Sequence, residues 1–141
     1  MTQIFFYHNA DDRLSAAAAL IGKAARQKKL LLVYAPDREI ASAIDRQLWT
    51  QAPTGFIPHV WSDSPLAAET PVIITDDAES ATQNERLFNL SMEVPPGFSR
   101  FTSLIEIVGQ ADDERQAGRE RVRFYKDRGY EIKFFDLAET R

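Results

Sequence analysis

Hydrophobic positions along the chain alternate between two periods. Residues 3–8 (QIFFYH) form a short apolar and aromatic run closed by Asn9, Ala10, Asp11 and Asp12, the pattern of a buried strand followed by a turn. From Asp12 onward Leu14, Ala18, Ile21 and Ala25 recur at helical spacing; Asp11 or Asp12 is available as N-cap, and Lys28 and Lys29 suit the helix end. Residues 30–35 (LLLVYA) are continuously apolar, as in a strand covered on both faces. Pro36 and Asp37 open a second helix carrying Ile40, Ile44 and Leu48 on one side. This strand, helix, strand, helix order predicts a right-handed crossover unit and a parallel sheet.

Between residues 50 and 69 both periods fade, and Pro53, Gly55, Pro58 and Pro65 punctuate the chain. The segment and its approach nevertheless hold Trp49, Phe56, Ile57, Val60 and Trp61, a heavy apolar load for a loop. Further strands are expected at 72–75 (VIIT), more weakly at 87–90, at 103–108 (SLIEIV) and at 130–136 (YEIKFFD), with a turn at 94–97. A long charged helix is expected from Asp112 to about Asp127, and Gly129 stands where a glycine ends a helix. The fold class is therefore α/β: a single three-layer domain over residues 1–141, with a mostly parallel sheet flanked by helices.

Composition narrows the function. With 141 residues, 44% of them hydrophobic, the chain has enough apolar material for one core, and the absence of cysteine excludes disulfide scaffolds, thiolate nucleophiles and Cys-ligated zinc. No secretory leader is expected from the start of the chain, and the longest uncharged apolar stretch, 14–21, is too short for a bilayer, so a cytoplasmic location without membrane contact is expected. Seventeen basic against twenty-one acidic residues leave a net charge of −4, which disfavours indiscriminate binding to nucleic acid.

The first strand-to-helix turn, residues 8–13, contains no glycine and carries two carboxylates, the opposite of a phosphate loop. Val72 to Asp77 has the outline of a Walker B strand without a Walker A partner, and a buried strand with a polar turn accounts for it. His8 and His59 are the only imidazoles and neither sits in a nucleophile-elbow or metal-binding motif; the acid pairs Asp11-Asp12, Asp76-Asp77 and Asp112-Asp113 fall where N-caps are needed. No catalytic residue, metal or cofactor is assigned.

Two features survive. Residues 115–128 carry six basic and two acidic side chains, a local charge of +4 on a remainder of −8. On a helix Arg115, Arg119, Val122, Arg123 and Lys126 share one face. A cationic stripe with an apolar residue set in it suits an acidic peptide that ends in a hydrophobic residue and a free carboxylate; the alternatives are a plain solvated charged helix, or a nucleic-acid face, for which no aromatic stacking positions are interleaved. The second feature is the aromatic stretch around Trp49, Phe56 and Trp61 with its prolines, which either caps the core or forms an apolar anchor for a protein partner.

The chain also resembles a known family. Phe5-Phe6-Tyr7, Leu31-Leu32-Val33-Tyr34, Ile44-Asp45-Arg46-Gln47-Leu48-Trp49, Phe56-Ile57-Pro58-His59, Arg119-Glu120-Arg121, Tyr125-Lys126 and Gly129-Tyr130 are similar, in order and spacing, to chi subunits of the bacterial DNA polymerase III holoenzyme, components of the clamp-loader complex. The match is weakest over residues 63–83. The resemblance implies a fold like nucleotide-binding α/β domains without their phosphate loop, and a non-catalytic adaptor. It implies a heterodimer with the psi subunit through Trp49, Phe56 and Pro58, with a repair helicase as another client of that site. It further implies binding of the acidic, phenylalanine-terminated tail of single-stranded DNA-binding protein by Val108, Arg119, Val122 and Arg123, DNA being reached only indirectly. Val122 stands where better-known members carry tyrosine, and Arg123 where they carry lysine. Two rival readings are a nucleotide-dependent α/β enzyme, which ATP or NAD would stabilise thermally, and a direct binder of single-stranded nucleic acid.

Overall fold

In the computed structural model, which describes residues 1–50, 59–61, 64, 72–80 and 83–138, the apolar runs become the strands of one parallel sheet. The elements are β1 (Gln3–Ala10), α1 (Arg13–Arg26), β2 (Leu31–Tyr34), α2 (Arg38–Thr50), β3 (His59–Trp61), β4 (Val72–Thr75), β5 (Arg86–Asn89), β6 (Ser103–Gly109), α3 (Asp112–Asp127) and β7 (Ile132–Asp136). Among the described residues the sheet has seven strands in the order β3-β4-β2-β5-β6-β1-β7, every pair parallel. The architecture is the expected α/β one. Strands β1 and β2, however, are not neighbours: β6 and β5 lie between them, so the first crossover spans two strand positions filled later in the chain.

Strand alternation sorts the side chains onto two faces. Leu31, Val33, Ile74, Ile105 and Ile107 turn toward Ala17, Ala18 and Ile21 of α1 and Ala41, Ile44 and Leu48 of α2. Leu32, Leu87, Leu104 and Ile4 turn the other way, onto Tyr125 of α3 together with Phe98 and Phe101. Helices thus cover both faces, which is why LLV in β2 reads as an unbroken apolar run.

Local signals explain most boundaries. Asp12 caps α1, its carboxylate accepting from Leu14 N at 3.2 Å, and Asp37 accepts from Glu39 N at 2.9 Å at the start of α2. Asp77 likewise accepts from Glu79 N at 3.0 Å, before the short 3-10 turn Ala78–Ser80. Asp112 and Asp113 do not cap α3: the N-cap is Ala111, and the acids occupy the first turn, where negative charge complements the helix dipole. Gly129, with φ 82°, sits one residue past the α3 C-cap Arg128 in the left-handed conformation that glycine adopts without strain. The three-residue β3 lies inside the segment where periodicity had failed; a strand this short carries no readable period, and it exists by pairing His59, Val60 and Trp61 with Val72, Ile73 and Ile74.

Two arginines are interior. Arg13, at the start of α1, sends Nε to Ile107 O at 2.8 Å and Nη2 to Ser91 O at 2.8 Å, satisfying carbonyls near the carboxyl ends of the central strands. Desolvation, followed by the positive charge of Arg121, lowers its pKa. Arg121 belongs to a second network centred on Glu106 of β6, which is wholly buried. The Glu106 carboxylate accepts from Arg121 Nε at 3.0 Å, from Asn89 Nδ2 at 3.0 and 3.1 Å, and from the Tyr125 hydroxyl. Burial first, then the adjacent carboxylate, holds the Tyr125 phenol far above its ordinary range.

Candidate functional site

In most α/β nucleotide sites a phosphate rests on free amides at the start of the first helix. Here the Asp12 carboxylate already occupies that position by accepting from Leu14 N and from Ser15 Oγ at 2.8 Å. The turn contains Asn9 at φ 67° and no glycine. The Asp12 carboxylate thereby takes up a helix-start donor that a bound phosphate would need.

Among the described residues a concavity lies elsewhere, between α3 and the β6-β1-β7 edge of the sheet. It is an open groove of about 590 Å³. Arg115, Arg119, Val122 and Lys126 form one wall, and Phe6, His8, Val108 and Phe134 line the side toward the sheet. Helix geometry explains this membership. At about 100° per residue, the four wall residues fall within an arc of about 60°, between about 100° and 160° from the buried Arg121. Arg123 falls at about 200° on the same scale, and it is exposed on α3 outside the groove lining. The structure therefore brings Val108, Arg119 and Val122 together and sets Arg123 beside them.

Close approach of α3 to the sheet is required for this. Gly118 faces β6, and a Cβ there would meet Val108 Cγ2 at 2.8 Å and Phe6 Cζ at 3.4 Å. At the helix start, Glu114 accepts from Gly109 N at 2.8 Å. Lys126 Nζ lies 5.6 Å from the centroid of the Phe134 ring, whose exposure is 48%. Arg115, Arg119 and Lys126 form no ion pair among the described residues. The groove's carboxylate, Asp136, accepts from Asn9 Nδ2 at 3.1 Å and from Ala138 N at 2.9 Å. The result is an apolar trough with unneutralised cations along one side. It can take an anionic, partly apolar ligand; a neutral or basic one would leave the arginines unanswered.

Arg121, one of the six basic residues of 115–128, has its charge neutralised inside by Glu106. Phe6, His8 and Phe134 were not foreseen in the site. Two adjacent aromatics in a strand must point to opposite faces, so Phe134 or Phe135 was bound to lie on the α3 side; which strand stood beside β7 was not readable.

Trp49 sits near the opposite edge of the sheet, at the end of α2, with 53% of its surface exposed. Its ring centroid is 5.4 Å from that of His59 in β3, and His59 Nε2 is 2.7 Å from Asp45 Oδ1. Phe56 and Pro58 lie outside the described residues.

Comparison with known proteins places this architecture in a family. Residues 1–133 match the family model described as DNA polymerase III chi subunit, HolC. Among curated proteins, the DNA polymerase III subunit chi of Pseudomonas aeruginosa is 32% identical over 136 residues, covering 94% of each chain. The subunits of the same name from Haemophilus influenzae and Escherichia coli are 29% identical over 108 residues and 25% over 126 residues, covering 76% and 86% of this chain and 75% and 86% of theirs. A match that runs from the first strand into the last, with a relative above 30% identity along nearly its whole length, means that this chain belongs to the DNA polymerase III chi subunit family.

Proposed function

We propose that the chain is a non-catalytic adaptor of the DNA polymerase III clamp-loader complex, and that the α3 groove binds the acidic carboxyl-terminal tail of single-stranded DNA-binding protein. The supporting observation is the convergence of Arg115, Arg119 and Lys126, none ion-paired among the described residues, on a trough lined by Val108, Val122 and Phe134. The cations answer the tail's aspartates and terminal carboxylate, and the trough takes its terminal phenylalanine. Affinity is modest and falls with salt, because the charges are exposed. Several tails on one tetramer of the partner raise the effective concentration and hold the polymerase assembly near its template. Trp49, exposed at the far edge of the sheet, anchors the psi subunit or, alternatively, a repair helicase, so one chain links two partners through separate surfaces.

Titration of a labelled tail peptide tests the groove. Arg119→Ala is expected to weaken binding at least about tenfold, as is amidation of the peptide's carboxyl terminus, since each removes a charge-assisted contact. Undiminished affinity in Arg119→Ala would remove the groove from consideration.

A further inference from the structure

The sheet carries a second cationic surface on the face opposite the groove. There β1 and β7 present Phe5, Tyr7 and Phe135. The Phe135 ring stacks on Tyr7 with centroids 4.7 Å apart and planes 19° from parallel, and Phe5 lies 6.3 Å from Phe135 at 24°. Because β7 is an edge strand, the ring of Phe135 is covered by Tyr7 from one side, and 37% of the residue is exposed. Lys133, two residues earlier on the same face, holds Nζ 5.8 Å from the Phe5 centroid.

Alongside Phe5 and Tyr7 runs a cavity of about 440 Å³ whose lining includes Lys23 of the last turn of α1, its C-cap Gln27, Lys29 and Arg86, and no carboxylate. Arg86 is paired with Glu85 at 3.5 Å, whereas Lys23, Lys29 and Lys133 form no ion pair among the described residues. Glu85 answers Arg86 from the margin, and the three lysines remain as a local excess of positive charge on a chain of net charge −4.

We propose that this face contacts single-stranded DNA, the exposed ring of Phe135, backed by the partly buried Tyr7 and Phe5, meeting an unstacked base while Lys23, Lys29 and Lys133 follow the phosphates. The two faces of the sheet differ in chemistry. Arginines around an aliphatic trough suit a carboxylate with an apolar side chain; near-parallel rings bordered by lysine point charges suit bases and a phosphate backbone. A duplex hides its base faces, and a second copy of this chain would bring its own lysines against these. Neutralisation of about three phosphates implies that log K falls with log salt with a slope of about −2. The acidic remainder of the chain keeps the free affinity low, so the contact acts on a strand already brought close by other attachments. Its position opposite the α3 groove leaves both surfaces available together, and it does not depend on what the groove binds.

The test is fluorescence anisotropy at low salt with a dye-labelled oligothymidylate of about 20 nucleotides. The intact chain is expected to bind it with a salt slope near −2 and to bind a duplex of equal length more weakly. Phe135→Ala is expected to lose about tenfold in affinity, and Lys133→Glu and Lys23→Glu, both at exposed positions, to lose affinity and flatten the slope. Thermal midpoints of the variants confirm that they fold. Five results would each overturn the proposal: no binding at low salt; unchanged binding in folded Phe135→Ala and Lys133→Glu; loss of binding in Arg119→Ala instead; tighter binding of an oligouridylate than of the thymidylate; or tighter binding of an acidic peptide whose affinity Lys133→Glu lowers.

Discussion

Arg121 Nε donates to Glu106 Oε1 across 3.0 Å, joining α3 to β6 where both side chains are at most 2% exposed. This pair, with the Tyr125 hydroxyl donating to the same carboxylate one helical turn later, sets the rotation of α3 about its axis. That rotation in turn aims Arg115, Arg119, Val122 and Lys126 into the groove. An interior contact therefore decides which exterior side chains form the candidate site.

Removing the charge of Glu106 strands Arg121 in the interior. Glu106→Gln is expected to destabilise the fold by about 3–5 kcal/mol, the cost of an uncompensated buried cation. Adding Arg121→Met should restore a large part of that loss. Denaturant unfolding of the two single variants and the double variant measures the coupling; simple additivity would show that the two residues do not act as a pair.

The Tyr125 phenol gives the same network a pH signature. Its folded pKa is raised above the unfolded value of about 10, so the contribution to stability is complete below about pH 10 and is lost as pH rises beyond it. In that window the unfolded chain gives up a proton that the folded chain keeps, and stability should fall by about 1.4 kcal/mol per pH unit from this group. Tyr7 and Tyr34 are shifted the same way by burial, so the informative quantity is the difference from Tyr125→Phe. The variant should start less stable and show the shallower alkaline decline; identical slopes in unfolding titrations between about pH 9 and 11 would contradict this account.

Gly118→Ala sets two effects against each other. Alanine gains about 1 kcal/mol in helix propensity. Its methyl would meet Val108 Cγ2 at 2.8 Å, and that atom belongs to a stiff β-branched side chain on a buried strand. Overpacking costs about 1–3 kcal/mol, so net destabilisation is expected, together with weaker tail-peptide binding as α3 is lifted from β6. Paired melting and peptide-titration curves read both; a more stable variant would mean that Val108 yields freely.

Trp49→Ala should leave the thermal midpoint within a degree or two, because the residue is more than half exposed, while reducing association with psi by at least about tenfold if it is an anchoring side chain. Co-purification and calorimetry on the isolated pair check this. Full retention of the complex would move the psi contact away from α2.

Much of the fold was legible because strand and helix periods are local. The boundaries of α3 and β4 fall where the pattern placed them, and α1 and α2 follow their aspartate caps. β3 escaped because three residues show no period, and the separation of β1 from β2 escaped because strand order depends on contacts between distant residues. Within the candidate site, the cationic face of α3 was visible from spacing alone, whereas Phe6, His8 and Phe134 were not, since their presence follows from β1 and β7 lying side by side.

The sequence by itself determined that this chain is an α/β protein with a basic helix on an acidic body, because composition and periodicity are properties of neighbouring residues. Only the tertiary structure decided what each cation does. Arg121 is neutralised because Glu106 of β6 lies beneath it, Arg119 faces an apolar trough because Gly118 lets α3 settle against Val108, and Lys133 stands beside rings because β7 closes the sheet at its edge. Charge is counted along the chain, but its effect is set by what the fold places within a few ångströms of it.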